Sequence, residues 1–156
     1  MKVEIINSQR IIKIRKSSLK RFIARISDAL GFKEGRISFV FTDNKNIRSL
    51  NKKYFGRDHP TDVIAFSLDD ACDPLNTLGE IVISTEQARE NSGKFRTSIE
   101  EELLLYVLHG LLHILGFEDK TKSGKNKMKR IQKHLFNFLN LKEEVISDSF
   151  IAGSSL

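Results

Sequence analysis

The residues of this chain best suited to chemistry lie in His109-Gly110-Leu111-Leu112-His113-Ile114-Leu115-Gly116-Phe117-Glu118-Asp119. His109 and His113 are four apart inside a Pro-free, predominantly apolar stretch from Ile99 to Leu115. On a helix, residues four apart stand one above the other, so both imidazoles project from one face. Gly116 follows where such a helix stops, since a left-handed residue costs glycine nothing. The chain can then fold back and carry Asp119 towards the pair. Two nitrogens and one oxygen leave a fourth tetrahedral position for water, the layout of a catalytic rather than a structural zinc site. The plainer reading, two histidines packed inside a helix, would bury several ring nitrogens that need partners. Glu118, adjacent to Asp119, is the alternative third donor.

The elements that must position these donors are legible in outline. Val3 to Ile6 reads as a strand. Ser17 or Ser18 can cap a helix with the stripe Leu19, Phe22, Ile23, Ile26 and Leu30, closed by Gly31. Ile37, Phe39 and Phe41 alternate as in a strand, and Asp43 or Asn44 caps a short helix running to about Lys53. Residues 54–62 read as loop, punctuated by Gly56 and Pro60. Val63–Phe66 and Ile81–Ser84 are short buried strands, separated by the acidic, turn-rich segment from Asp69 to Pro74. Ser84 with Gln87, and Ser98 with Glu101, have capping-box spacing; the first helix is expected to stop at Gly93, the second near Leu115. A last helix has Met128, Ile131, Leu135, Phe138 and Leu139 on one face and lysines on the other.

These elements predict an α+β fold: a small mixed four-stranded sheet packed with about five helices, with the metal site on a buried helix in the C-terminal half. Residues 1–141 form a single domain, and 142–156, which lose periodicity, read as a frayed tail.

A chain of 156 residues with 40% hydrophobic and 29% charged residues is ordinary for one globular domain. No apolar run reaches the roughly 18 residues of a membrane span, and the N-terminus is too poor in apolar residues for a secretory signal. The single cysteine, Cys72, allows no internal disulfide and fits a cytoplasmic protein. The net charge of +6 makes a polyanion a natural partner. One basic cluster runs from Arg10 to Arg25. The other starts at Lys120, directly after the metal motif, and includes Lys122, Lys125, Lys127 and Lys129. Both could be solvated helix faces; the second, beside the donors, is the better nucleic-acid candidate. His59 and His134 read as surface residues.

With these residues in view, the chain resembles the YbeY family of bacterial ribosomal RNA maturation factors, whose hallmark helix reads H-G-x-L-H-x-x-G-x-x-H. His109, Gly110, Leu112, His113 and Gly116 fit it. A second signature stands as Leu50-Asn51-Lys52-Lys53-Tyr54-Phe55-Gly56-Arg57-Asp58-His59-Pro60-Thr61-Asp62-Val63, and a third as Leu78-Gly79-Glu80-Ile81. Two positions depart from the pattern. The family's third ligand is usually histidine, where this chain has Asp119 at the same spacing, and carboxylate oxygen is an accepted zinc ligand. The family's Arg after the Tyr is Phe55 here, leaving Arg57 as the candidate to supply that charge.

The resemblance implies a metal-dependent, single-strand endoribonuclease of 16S ribosomal RNA 3′-end maturation and ribosome quality control. It further implies one Zn²⁺ per chain on His109, His113 and Asp119, and the small ribosomal subunit as partner. Other first-row divalent metals suit the same donors. A non-catalytic ribosome-assembly factor is the alternative. A metallopeptidase comes last, because the glutamate that follows the first histidine in H-E-x-x-H enzymes is Gly110 here. Glu118 and Arg57 are the catalytic candidates. Replacing a neutral histidine with Asp119 removes one unit of positive charge from the centre, which weakens its pull on phosphate and on water.

Overall fold

β-Branched and aromatic residues build the sheet. The computed structural model describes residues 1–68 and 72–153. Strands β1 (Lys2–Asn7), β2 (Arg36–Thr42), β3 (Val63–Ser67) and β4 (Thr77–Ser84) form one sheet in the order β1-β2-β4-β3. β1, β2 and β4 run parallel, and β3 pairs antiparallel with β4 at the edge. Ile37, Phe39 and Phe41 of β2 are fully buried, as their alternation requires. The parallel β1–β2 pair needs a crossover, supplied by α1 (Lys16–Ala29). α2 (Asn44–Phe55) follows β2, α3 (Thr85–Phe95) follows β4, and α4 (Ile99–Ile114), α5 (Lys122–Phe138) and α6 (Leu141–Ser147) complete the chain. The α+β architecture and four-stranded mixed sheet expected from the sequence are present, with six helices among the described residues. Among the described residues no helix is long and apolar enough to cross a membrane.

α4 is the structural centre. Ser98 Oγ accepts the Glu101 N–H at 3.0 Å and Glu100–Glu102 occupy the first turn, so the positive end of the helix is satisfied. Leu103, Leu104, Val107, Leu108, Leu111 and Leu112 are fully buried. Full burial of six large side chains from one helix ties the position of its histidines to the core. A side chain at Gly110 would begin 2.6 Å from Ile81 Cγ2 of β4, so only glycine lets the helix lie this close to the sheet. At the other end Gly116 adopts φ +96, and the Phe117 N–H donates to Leu112 O at 3.0 Å, closing the helix and reversing the chain.

Several local expectations are corrected. α1 begins at Lys16 after Arg15, with no side-chain cap, so Ser17 and Ser18 are helical residues. α2 extends through Tyr54 and Phe55, which were expected in the loop. α3 passes through Gly93 and ends at Phe95, capped by Arg96, which is left-handed at φ 56. The largest correction concerns the expected frayed tail. Residues 142–153 pack as part of the domain, with Phe150 fully buried and Val145 nearly so. Buried Glu100 at the head of α4 accepts the Phe150 N–H at 2.8 Å and the Ser149 hydroxyl at 3.0 Å. Ile14 and Ile151 form a β-bridge. A seven-residue helix is too short to display a period, which is why it escaped notice. Ser154 to Leu156, and Asp69 to Ala71 of the acidic segment, lie outside the described residues.

Candidate metal centre and its cleft

His109 and His113 sit one turn apart in the last turns of α4, and the Gly116 reversal returns Asp119 against them. The two Nε2 atoms are 2.9 Å apart, and Asp119 Oδ2 lies 3.4 Å from His109 Nε2 and 3.6 Å from His113 Nε2. A zinc tetrahedron with arms of about 2.0–2.1 Å has edges of roughly 3.3 Å. The donor separations therefore fit one such ion after small adjustments of the rings. Among the described residues these three form the cluster able to hold a metal, and neighbouring Glu118, exposed to solvent, is not in it.

Electrostatics favours ligation. Burial, and secondarily the His113 ring, push the His109 pKa below its ordinary value, against the opposing pull of Asp62 and Asp119. The ring is thus neutral near pH 7, as a metal ligand must be. Its 3.4 Å approach to Asp119 is accordingly not a strong ion pair. Asp119 has no other hydrogen-bond or ion-pair partner among the described residues.

Behind His109, Gln132 Nε2 of α5 lies 3.0 Å from Nδ1. In this orientation the amide N–H donates to Nδ1 and selects the tautomer with the proton on Nε2. Turned oxygen-first, it holds the proton on Nδ1 and frees Nε2 for a metal. Gln132 escaped the sequence reading because it lies among lysines; its signal was its place four residues after buried Met128, on the inward stripe of α5.

Two cavities meet at the donors. The larger, of about 530 Å³, is walled by Phe55, Arg57, His59, β3, Glu118 and Lys120. The smaller, of about 300 Å³, is walled by Tyr106, Glu102, Gln132, Lys125 and Lys129. Asp62, His109 and Asp119 border both. Asp62 was not singled out from the sequence beyond its place in the second signature. That signature now has a physical reading. Buried Asn51 donates to His59 O at 2.9 Å, and Asp62 Oδ1 accepts the Val63 N–H at 2.8 Å, so the 56–62 segment is fixed beside the donors.

The expected RNA-contact residues separate. Lys120, Lys125 and Lys129 line the cavities, Lys127 lies 5.5 Å above the Phe117 ring, and Lys122 lines neither cavity. In the first basic cluster, Arg21 pairs with Asp148 at 2.6 Å, Arg25 reaches Glu144 at 3.6 Å, and Arg15 donates to Ser149 O, all holding the C-terminal segment. His59 and His134 are exposed, as expected.

Three donors converging at the foot of an open cleft would leave a bound cation accessible from one side, the layout of an open site rather than of a closed zinc-stapled one. Comparison with known proteins supplies the family. The family model described as Endoribonuclease YbeY matches residues 4–140, and the chain belongs to that family. Endoribonuclease YbeY of Syntrophus aciditrophicus is 32% identical over 146 residues, covering 90% of this chain and 91% of the relative. That of Clostridioides difficile is 35% identical over 132 residues, covering 81% and 86%. The fold is shared with the solution structure of TM1509 from Thermotoga maritima, at a TM-score of 0.59 and 24% identity over 99% of both chains.

Proposed function

We propose that this chain is a metal-dependent, single-strand endoribonuclease that acts on small-subunit ribosomal RNA, in 16S 3′-end maturation and ribosome quality control in the cytoplasm. The observation that supports this reading most is the convergence of His109, His113 and Asp119 where two cavities with lysine-bearing walls meet. Zn²⁺, one per chain, is the proposed ion, because two imidazoles and a carboxylate suit it; other first-row divalent ions bind the same donors. Such an ion supplies Lewis acidity towards a phosphoryl oxygen and activation of water.

The chain's own residues do the rest. Lys120, Lys125 and Lys129 neutralise phosphates, and Arg57 adds a bidentate donor on the larger wall. Asp62 and Glu118 are the carboxylates of the larger cleft outside the donor set, and proton transfer falls to one of them. Asp62→Asn and Glu118→Gln separate the two, the true base losing rate while metal content stays intact.

The decisive experiment is metal analysis of the purified protein beside cleavage of single-stranded RNA with and without chelator. The expected result is about one ion per chain and cleavage lost on chelation or in His109→Ala. RNA cleavage that survives both treatments overturns the reading. Small-subunit binding with no cleavage by the loaded protein would instead make it an assembly factor. The RNA path is tested by salt: removing Lys125, Lys127 and Lys129 together should flatten the slope of log affinity against log salt by roughly two units for a single strand. An unchanged slope moves the path elsewhere.

A further inference from the structure

Phe55 closes α2 with 53% of its surface exposed, beside Tyr54 at 54%. Large aromatics left in water at the mouth of a cleft mark contact sites. The Phe55 ring is already fixed: it stacks on Phe66 of β3 at 6.3 Å between centroids and 19° between planes, while Tyr54 meets Phe66 edge-on at 5.0 Å. Phe55 is part of the wall of the larger cavity, together with Arg57, Lys120 and the three metal donors. Lys53 stands 5.2 Å from the Tyr54 ring centroid.

We propose that Phe55, braced by Phe66, is a stacking platform for one unpaired nucleobase of the strand held in the cleft. The inference rests on the RNA reading above and gives it a subsite. Ordered aromatic rings interleaved with cations are what single-stranded nucleic acid requires, because every base offers a π-face and every linkage a negative charge. An apolar peptide would use the rings but leave Arg57 and Lys120 without anions. A duplex keeps its base faces inside the stack and has none to offer Phe55. The platform therefore supplies a reason for single-strand preference that the metal donors alone lack. Because Phe66 holds the ring in place, little freedom is lost when a base settles on it.

The test uses a short single-stranded RNA carrying 2-aminopurine, whose fluorescence falls on stacking, and the duplex of the same sequence, with strand integrity checked in the same samples. Wild type should bind the single strand with quenching. Phe55→Ala should bind it roughly tenfold or more weakly and lose the quenching, while duplex binding is unchanged. Phe55→Trp should restore both, and unchanged melting temperatures show that the variants are folded. Single-strand affinity and quenching kept in Phe55→Ala overturn the platform and leave the RNA reading standing, as does an equal loss for the duplex. Wild-type protein that binds neither RNA, or binds apolar peptides in its place, overturns the RNA reading beneath it.

Discussion

The two ends of α4 both withdraw polar side chains from solvent, fully at the head and partly at the tail, and they do so in opposite ways. At the head, Glu100 is met by donors: the Phe150 N–H and the Ser149 hydroxyl, while Glu102 accepts the Thr97 hydroxyl at 2.6 Å. At the tail, His109 and His113 turn their Nε2 atoms towards each other and towards a carboxylate. One end has its hydrogen bonds closed within the chain. The other gathers lone pairs at a point, an arrangement that a cation satisfies better than any donor of the chain. Burial alone does not distinguish structure from function on this helix; the balance of donors and acceptors does.

The strongest way to break that contrast is a crossed pair of variants. His113→Ala should lose essentially all bound metal, since two donors rarely hold a catalytic zinc, yet stay folded without it. Glu100→Ala should keep about one ion per chain and lose about 1–3 kcal/mol of stability by leaving the buried Phe150 N–H without its acceptor. Metal content and chemical denaturation read the two effects. Comparable metal loss in both variants would erase the distinction between the ends.

A smaller effect belongs to Gln132. Gln132→Leu should weaken metal affinity by roughly 10- to 100-fold, because no amide oxygen can then turn to accept the Nδ1 proton and free Nε2, whereas Gln132→Glu should restore it. Competition with a chromophoric chelator measures both. Equal affinity in all three proteins removes Gln132 from the centre.

The smallest effect is a pH dependence. Folding lowers the His109 pKa from its ordinary value of 6.5, so the folded chain binds fewer protons on that ring than the unfolded chain. Stability should therefore decline as pH falls below about 6.5, down to the depressed folded value. With chelator present, the melting temperature should drop between pH 7.5 and 5.5, and drop less in His109→Gln. A wild-type melting temperature that rises on acidification contradicts the sign.

The tail of α4 was legible in the sequence because everything that makes it is local: the four-residue spacing, Gly116 and the short return to Asp119. The Ser98 cap was legible for the same reason. Gly93 misled because glycine permits a helix end without enforcing one, and the stop comes at Arg96. Gln132 and Asp62 belong to the site through tertiary contact alone, and no local pattern places either against His109. Likewise, the C-terminal segment is held by groups far away in the chain: Arg25 at Glu144, Arg21 at Asp148 and Glu100 at Phe150. Arg21 and Arg25 looked like part of a polyanion surface until Asp148 and Glu144 appeared opposite them.

That C-terminal clasp has a consequence for the order in which the fold can close. Before residues 148–150 dock, the Glu100 carboxylate has no Phe150 N–H to accept and Arg21 has no Asp148. The first contact spans 50 positions of the chain and the second 127, whereas the donors all come from residues 109–119. Closing a longer loop costs more entropy, so the donor end of α4 is drawn together by local folding and its head is clasped only across the length of the chain.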